Sequence, residues 1–284
     1  MSTTAYLKFE IDWRTNFGED HIFWEILPKA LRALVNLKTL QFRTTGGGPI
    51  EGLLDGCTFQ LEDLHWHCHS DELKIQSFLP TQRGLRRLSL GGWDDTRFSA
   101  PSSNAGQPDF RELAGSYGVV HAFLPGREIT RLRWVPDLDD PWDTSTGLDI
   151  EGLATSLEKL KYLSFGGYFT RPHLCSISDH LSSLFYLELM GYDRQEDESV
   201  CSLPSLKWLR ISIRWGLSQS SISDPQERTV QMFTCSKSLQ TIEVQEEAKF
   251  DNHGNKIHSY NRWDRNLGLV RKFDEQTEMW PEVF

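Results

Sequence analysis

No run of 18 apolar residues occurs in this chain, and there is no Asn-x-Ser/Thr sequon, no Cys-x-x-Cys pair and no surplus of basic charge. Each absence removes a class of function. The first leaves nothing long enough to cross a bilayer as a helix. The opening residues, Met1 to Glu10, also lack the charged start and apolar centre of a secretory signal. The second removes the usual glycan acceptor of secreted chains. Cys57, Cys68, Cys175, Cys201 and Cys235 are odd in number and scattered, which argues against a disulfide framework or a zinc knuckle and predicts buried free thiols. Lys and Arg number 30 against 40 Asp and Glu, a formal charge of -10, so nucleic acid and membrane, which reward clustered cations, are not expected partners. Cytoplasm or nucleus is the expected location. The signatures G-x-S-x-G, H-E-x-x-H and G-x-G-x-x-G are missing too, and Gly46-Gly47-Gly48-Pro49 reads as a turn rather than a phosphate cradle. No catalytic residue, metal or cofactor is expected.

What the chain does have is one phrase, Leu-x-x-Leu-x-apolar, repeated almost from end to end. It occurs as Leu37/Leu40/Phe42, Leu61/Leu64/Trp66, Leu85/Leu88/Leu90, Ile129/Leu132/Trp134, Leu160/Leu163/Phe165, Leu184/Leu187/Leu189, Leu206/Leu209/Ile211 and Leu239/Ile242/Val244. With the weaker Phe110-x-x-Leu113 included, the middle positions lie 24, 24, 25, 19, 31, 24, 22 and 33 residues apart. Leu7, Phe9 and Ile11 add an earlier strand by their alternation. The pattern predicts an α/β leucine-rich-repeat solenoid, a horseshoe with one parallel curved sheet and irregular repeats of about 22–25 residues. One domain is expected over 1–284, with repeats over 1–245.

The connections follow from spacing and turn chemistry. Ile22, Phe23, Ile26, Leu27, Leu31 and Leu34 predict a helix within His21 to Leu37. Asp94 to Asp109, Pro136 to Gly147 and Gly216 to Glu227 read as rim loops, rich in Ser, Pro, Gly and Asp. Over 246–284 a cap is expected, built from a hairpin turn in Phe250 to Ile257 and a helix over Asp264 to Glu278.

With the strands placed, the chain resembles the leucine-rich-repeat region of fungal F-box/leucine-rich-repeat proteins. The segment from Val119 to Trp134, Val-Val-His-Ala-Phe-Leu-Pro-Gly-Arg-Glu-Ile-Thr-Arg-Leu-Arg-Trp, and the strand entry Leu203-Pro-Ser-Leu-Lys-Trp-Leu carry the likeness. The resemblance implies a substrate-recognition role in a cullin-type ubiquitin ligase, in which the F-box binds the adaptor subunit. An F-box itself is absent from this chain, so ligase components are expected as partners only if one lies upstream. The position where many such repeats carry an Asn or Cys ladder holds Thr45, His69, Trp93, Asp137, Tyr168, Tyr192, Arg214 and Glu247 instead.

Alternate strand residues face away from the buried leucines and form the concave face. Its first column reads Thr39, Asp63, Arg87, Glu112, Arg131, Tyr162, Tyr186, Trp208 and Thr241, and its second Gln41, His65, Ser89, Ala114, Arg133, Ser164, Glu188, Arg210 and Glu243. Tyr162, Tyr186 and Trp208 come from consecutive strands and predict an aromatic stripe, edged by Arg131, Arg133, Arg210 and Met190, with the composition of a protein-binding hot spot. A cover of helices or a folded loop over these rings is the alternative. A second class of function, a metal-dependent enzyme centred on Asp63, His65 and His67, rests on the cluster His65-Trp66-His67-Cys68-His69 with Asp71 nearby. A truncated paralogue without a selected partner is a third. Asp137, Asp139, Asp140 and Asp143 lack calcium-loop spacing and read as a solvated acidic rim.

Overall fold

A computed structural model describes residues 5–11, 21–44, 52–67, 77–91, 108–135, 150, 152–166, 173–212, 225–246, 249–250 and 256–275. The chain divides into two compact units, Met1–Ser156 and Leu157–Phe284, where one continuous domain is expected from the repeat. Both are α/β, with open and mostly parallel strands.

The first unit contains β1 (Ala5–Ile11), α1 (His21–Ala33), β2 (Leu37–Thr44), β3 (Asp63–His67), β4 (Arg87–Gly91), β5 (Glu112–Gly115), α2 (Tyr117–Phe123) and β6 (Arg131–Trp134). Each strand lies parallel to the next in chain order. The register joins the repeated leucines, Leu7 to Leu40, Leu64, Leu88, Leu113 and Leu132. From Leu40 to Leu132 these side chains are buried in one apolar column, and Phe42 stacks on Trp66 at 4.7 Å beside it. Burial of each leucine contributes roughly 1.5 to 3 kcal/mol, which is why the repeat sets the register. Gly115 ends β5 because a Cβ there would stand 2.5 Å from Val119 Cγ1, on the helix that turns back against the strand. Helix α1 forms where its periodicity predicts, but it buries Leu27 and Leu31 and leaves Ile22 and Ile26 exposed.

A short helix, α3 (Ala154–Leu157), lies at the division between the units. The second unit then has β7 (Tyr162–Phe165), β8 (Tyr186–Met190), α4 (Asp197–Ser202), β9 (Trp208–Ser212), α5 (Pro225–Cys235) and β10 (Thr241–Gln245). These strands are parallel, with Leu163, Leu187, Leu209 and Ile242 in register. Several return segments are single 3-10 turns, at Leu79–Thr81, Leu174–Ser176, Ser178–His180 and Arg194–Glu196, because repeats of this length leave little chain for a full helix. Two buried side chains satisfy backbone amides between the repeats. Gln82 Oε1 accepts the Leu61 N–H at 2.8 Å, and Glu196 Oε1 accepts the Leu174 N–H at 2.8 Å. Each satisfies a loop amide that burial would otherwise leave unpaired.

Two expectations are corrected in this unit. The helix predicted over Asp264 to Glu278 is, in its described part up to Glu275, a turn followed by a strand. After β11 (Lys249–Phe250), β12 (Lys256–Asp264) pairs antiparallel with β10, and β13 (Gly268–Glu275) pairs antiparallel with β12. The sheet is therefore not wholly parallel. The reversal is written in Asp264-Arg265-Asn266-Leu267-Gly268, where Asp264 Oδ1 accepts the Asn266 N–H at 2.9 Å and Gly268 takes φ 73°. The cysteines also differ from expectation. Cys201 on α4 and Cys235 on α5 form a disulfide, Cys175 is exposed and Cys57 is only partly buried. Spacing along the chain carried no sign of this, because the pair is brought together by two neighbouring return helices. Cys68, and the loops expected at 94–107 and 136–147, lie outside the described residues.

Candidate functional site

Tyr162, Tyr186 and Trp208 open β7, β8 and β9 and are partners in register. Their rings follow one another at 6.1 and 6.5 Å, so the aromatic stripe exists as a continuous row. It is not uniformly exposed. Tyr162 and Trp208 are half-buried, whereas Tyr186 is 1 % exposed and its hydroxyl has no hydrogen-bond partner. Burial first, and then the Glu188 carboxylate, push the Tyr186 phenol well above its ordinary range, so it stays neutral. Met190 and Arg210 are buried as well, at 4 and 3 %. Of the expected partner-binding residues in this unit, Tyr162 and Trp208 therefore carry the accessible surface, and Tyr186 packs between them.

Beside the stripe, on the same face of the strands, lies a polar network. Glu188 Oε2 accepts from Ser164 Oγ at 2.6 Å and Glu188 Oε1 from Ser212 Oγ at 2.8 Å. The Ser212 hydroxyl lies 3.3 Å from the Tyr260 hydroxyl. Arg210 Nε donates to Glu243 Oε2 at 2.7 Å, and Arg262 Nε donates to Glu243 Oε1 at 2.7 Å. Each guanidinium also covers a ring, Arg210 over Tyr260 at 4.6 Å and Arg262 over Trp208 at 4.8 Å. Burial disfavours the Arg210 charge, but Tyr186, Glu243 and Glu188 outweigh it and raise the pKa above the ordinary arginine value. Two arginines thus face two glutamates, so the buried charge is balanced and each ion is hydrogen-bonded, as burial requires. Strand residues two apart share a face, so Tyr260 and Arg262 project from β12 beside Gln245 and Glu243.

Sequence reasoning placed Glu188 and Glu243 in the face but missed Tyr260 and Arg262. Their signal was the alternation of Tyr260, Arg262 and Asp264 against Asn261 and Trp263, which falls outside the leucine phrase. Arg131 and Arg133 belong to the first unit, on β6. There the outward column alternates in sign. Arg87 pairs with Asp63, Arg131 NH1 lies 3.4 Å from Glu112 Oε1, and Thr39 Oγ1 donates to Asp63 Oδ2 at 3.3 Å.

The same column accounts for the histidine cluster. Both Asp63 oxygens are engaged by the Arg87 guanidinium. His67 Nε2 lies 2.9 Å from Ser89 Oγ, and Gly91 leaves room for the ring, since a Cβ there would stand 2.5 Å from His67 Nδ1. Burial, then the nearby His65, Arg43 and Arg133 charges, depress the His67 pKa to about 4. Burial lowers His65 too, opposed in part by Asp63. Among the described residues no three His, Cys, Asp or Glu side chains are grouped to hold a metal, and His69 and Asp71 lie outside them. Among the described residues no helix is long and apolar enough to cross a membrane. Comparison with protein-family models returns no match, and comparison with curated proteins returns none.

Proposed function

We propose that the chain is a leucine-rich-repeat solenoid that acts as a non-enzymatic protein-interaction module, docking a partner protein on the strand face around Tyr162 and Trp208. The observation that carries this reading is the row of rings from Tyr162 to Trp208, with Arg262 stacked on Trp208 and a hydrogen-bonded network alongside it. Aromatics and arginine held rigid by buried neighbours lose little freedom on binding, which is the physical basis of a hot spot. Tyr186 packs within the row, and the buried Arg210 and Met190 lie along the same strands. The narrower role, substrate recognition for a cullin-type ubiquitin ligase inside the cell, rests on the likeness of residues 119–134 and of the Leu203 strand entry to fungal F-box/leucine-rich-repeat proteins.

The test is capture of interacting proteins by the full chain and by Tyr162→Ala/Trp208→Ala, which spares the buried Tyr186. The reading predicts loss of specific partners at an unchanged unfolding midpoint. Retention of every partner by the folded variant overturns the face as the docking site.

A further inference from the structure

The rungs that lead into the strands of the second unit form a recess next to the stripe, where the Phe185 ring lies 6.1 Å from that of Tyr162. Lys161, Phe185, Lys207 and Gln240 each immediately precede a strand, and the backbone ladder aligns them. Lys161 C=O accepts the Phe185 N–H at 2.9 Å, Phe185 C=O accepts the Lys207 N–H at 3.0 Å, and Lys207 C=O accepts the Gln240 N–H at 2.8 Å. Together with Ser183, Ser205 and Lys237 they border a cleft of about 530 Å³. Such a volume lies within the roughly 300–1,000 Å³ of small-molecule sites. Its lining holds three lysines and no carboxylate, in a chain whose net charge is -10.

Lysines at this rung do not lack acidic neighbours by default. In the first unit the corresponding Lys38 lies 3.7 Å from Glu62 on the next rung. No described acidic side chain pairs with Lys161, Lys207 or Lys237. The hydroxyls of Ser183 and Ser205 also have no partner among the described residues, and they stand at the same cleft. Lys207 Nζ rests over the Phe185 ring at 5.7 Å, which directs that cation into the recess.

We propose that this cleft binds the phosphate group of a small organic phosphate. Lysine ammoniums act as compact point charges without the planar fork by which arginine matches carboxylates, so they suit a tetrahedral dianion approached from several sides. Lys161 and Lys207 stand two strands apart, about 10 Å at the backbone, and their flexible stems close on one phosphate or span two. Serine hydroxyls donate to the remaining oxygens. The half-buried Phe185 ring supplies an apolar wall for the organic part.

The experiment is a calorimetric titration of the full chain at low salt with pyrophosphate, inorganic phosphate, phenyl phosphate and citrate. Saturable binding at one site is expected for the phosphates, weakened by salt and reduced about tenfold or more in Lys161→Gln/Lys207→Gln, which removes two of the charges that attract the dianion. Tighter binding of phenyl phosphate than of inorganic phosphate, lost in Phe185→Ala, assigns an organic phosphate; equal affinity overturns the organic part of the assignment. The control Lys38→Gln, in the first unit, leaves binding unchanged. Absence of saturable binding, equal loss in Lys38→Gln, or citrate binding as tightly as pyrophosphate would overturn the proposal. Circular dichroism of each variant separates a lost site from a lost fold.

Discussion

Glu243 has no exposed surface, and its carboxylate accepts from Arg210 on one side and Arg262 on the other. Removing that charge leaves the buried Arg210 guanidinium without its main counter-ion, the circumstance in which a buried pair costs most to break. Glu243→Gln, which keeps the shape, is predicted to lower stability by about 3 to 5 kcal/mol in urea unfolding. A change below ~1 kcal/mol would show that the network contributes only as an exposed pair does. His67 makes stability depend on pH. Its folded pKa is about 4 against an ordinary 6.5, so the fold favours the neutral ring while the unfolded chain takes up a proton below 6.5. The contribution is complete above pH 6.5 and is lost as pH falls toward 4, a loss of about 3 kcal/mol. His67→Gln should flatten that part of the stability profile; an unaltered slope contradicts the assignment. Neither residue's role was legible in the sequence. Glu243 reads there as one more polar member of an outward column, and His67 as half of a metal pair, because the partners that decide both lie on other strands.

At the scale of elements, the strands were legible and their connections only in part. An inward leucine every second position fixes both which residues form a strand and how strands align, so Leu40, Leu64, Leu88, Leu113 and Leu132 meet as their spacing predicts. The segment 256–275 carries no such phrase, and the part from Asp264 on, with Leu267, Leu269 and Val270 all exposed, reads as a helix although the chain folds back as a hairpin. The first strand of that hairpin supplies Tyr260 and Arg262, residues that no leucine phrase marks as part of a strand. The Cys201–Cys235 disulfide ties α4 to α5 across 34 residues of chain. Closing a loop of that length is worth about 4 kcal/mol in the chain-entropy model. Cys201→Ser should therefore lower the unfolding midpoint of the oxidised protein, and a reductant should reproduce the shift in the parent and add nothing in the variant. An equal midpoint for parent and variant under oxidising conditions would show that the crosslink bears no load.

For the whole molecule, each unit is an α/β body in which stacked strands share an apolar column on one side and a polar and aromatic face on the other. The repeat accounts for the first of these in full. The second was legible as a list of outward positions, but not as a surface, because the burial of Tyr186 and Arg210 depends on the hairpin and on packing across strands. What remains accessible, Tyr162 and Trp208 with Arg262, is the part of the face on which the proposed function stands. The most direct test is site-specific photo-crosslinking in cells of the source organism, with benzoylphenylalanine placed at Trp208 and, as a control, at the exposed Leu267. The account predicts discrete crosslinked partners from position 208 that are absent from position 267 and are lost when Tyr162 is also replaced by alanine. Identical patterns from the two positions, or no crosslink from a folded protein labelled at 208, would contradict it.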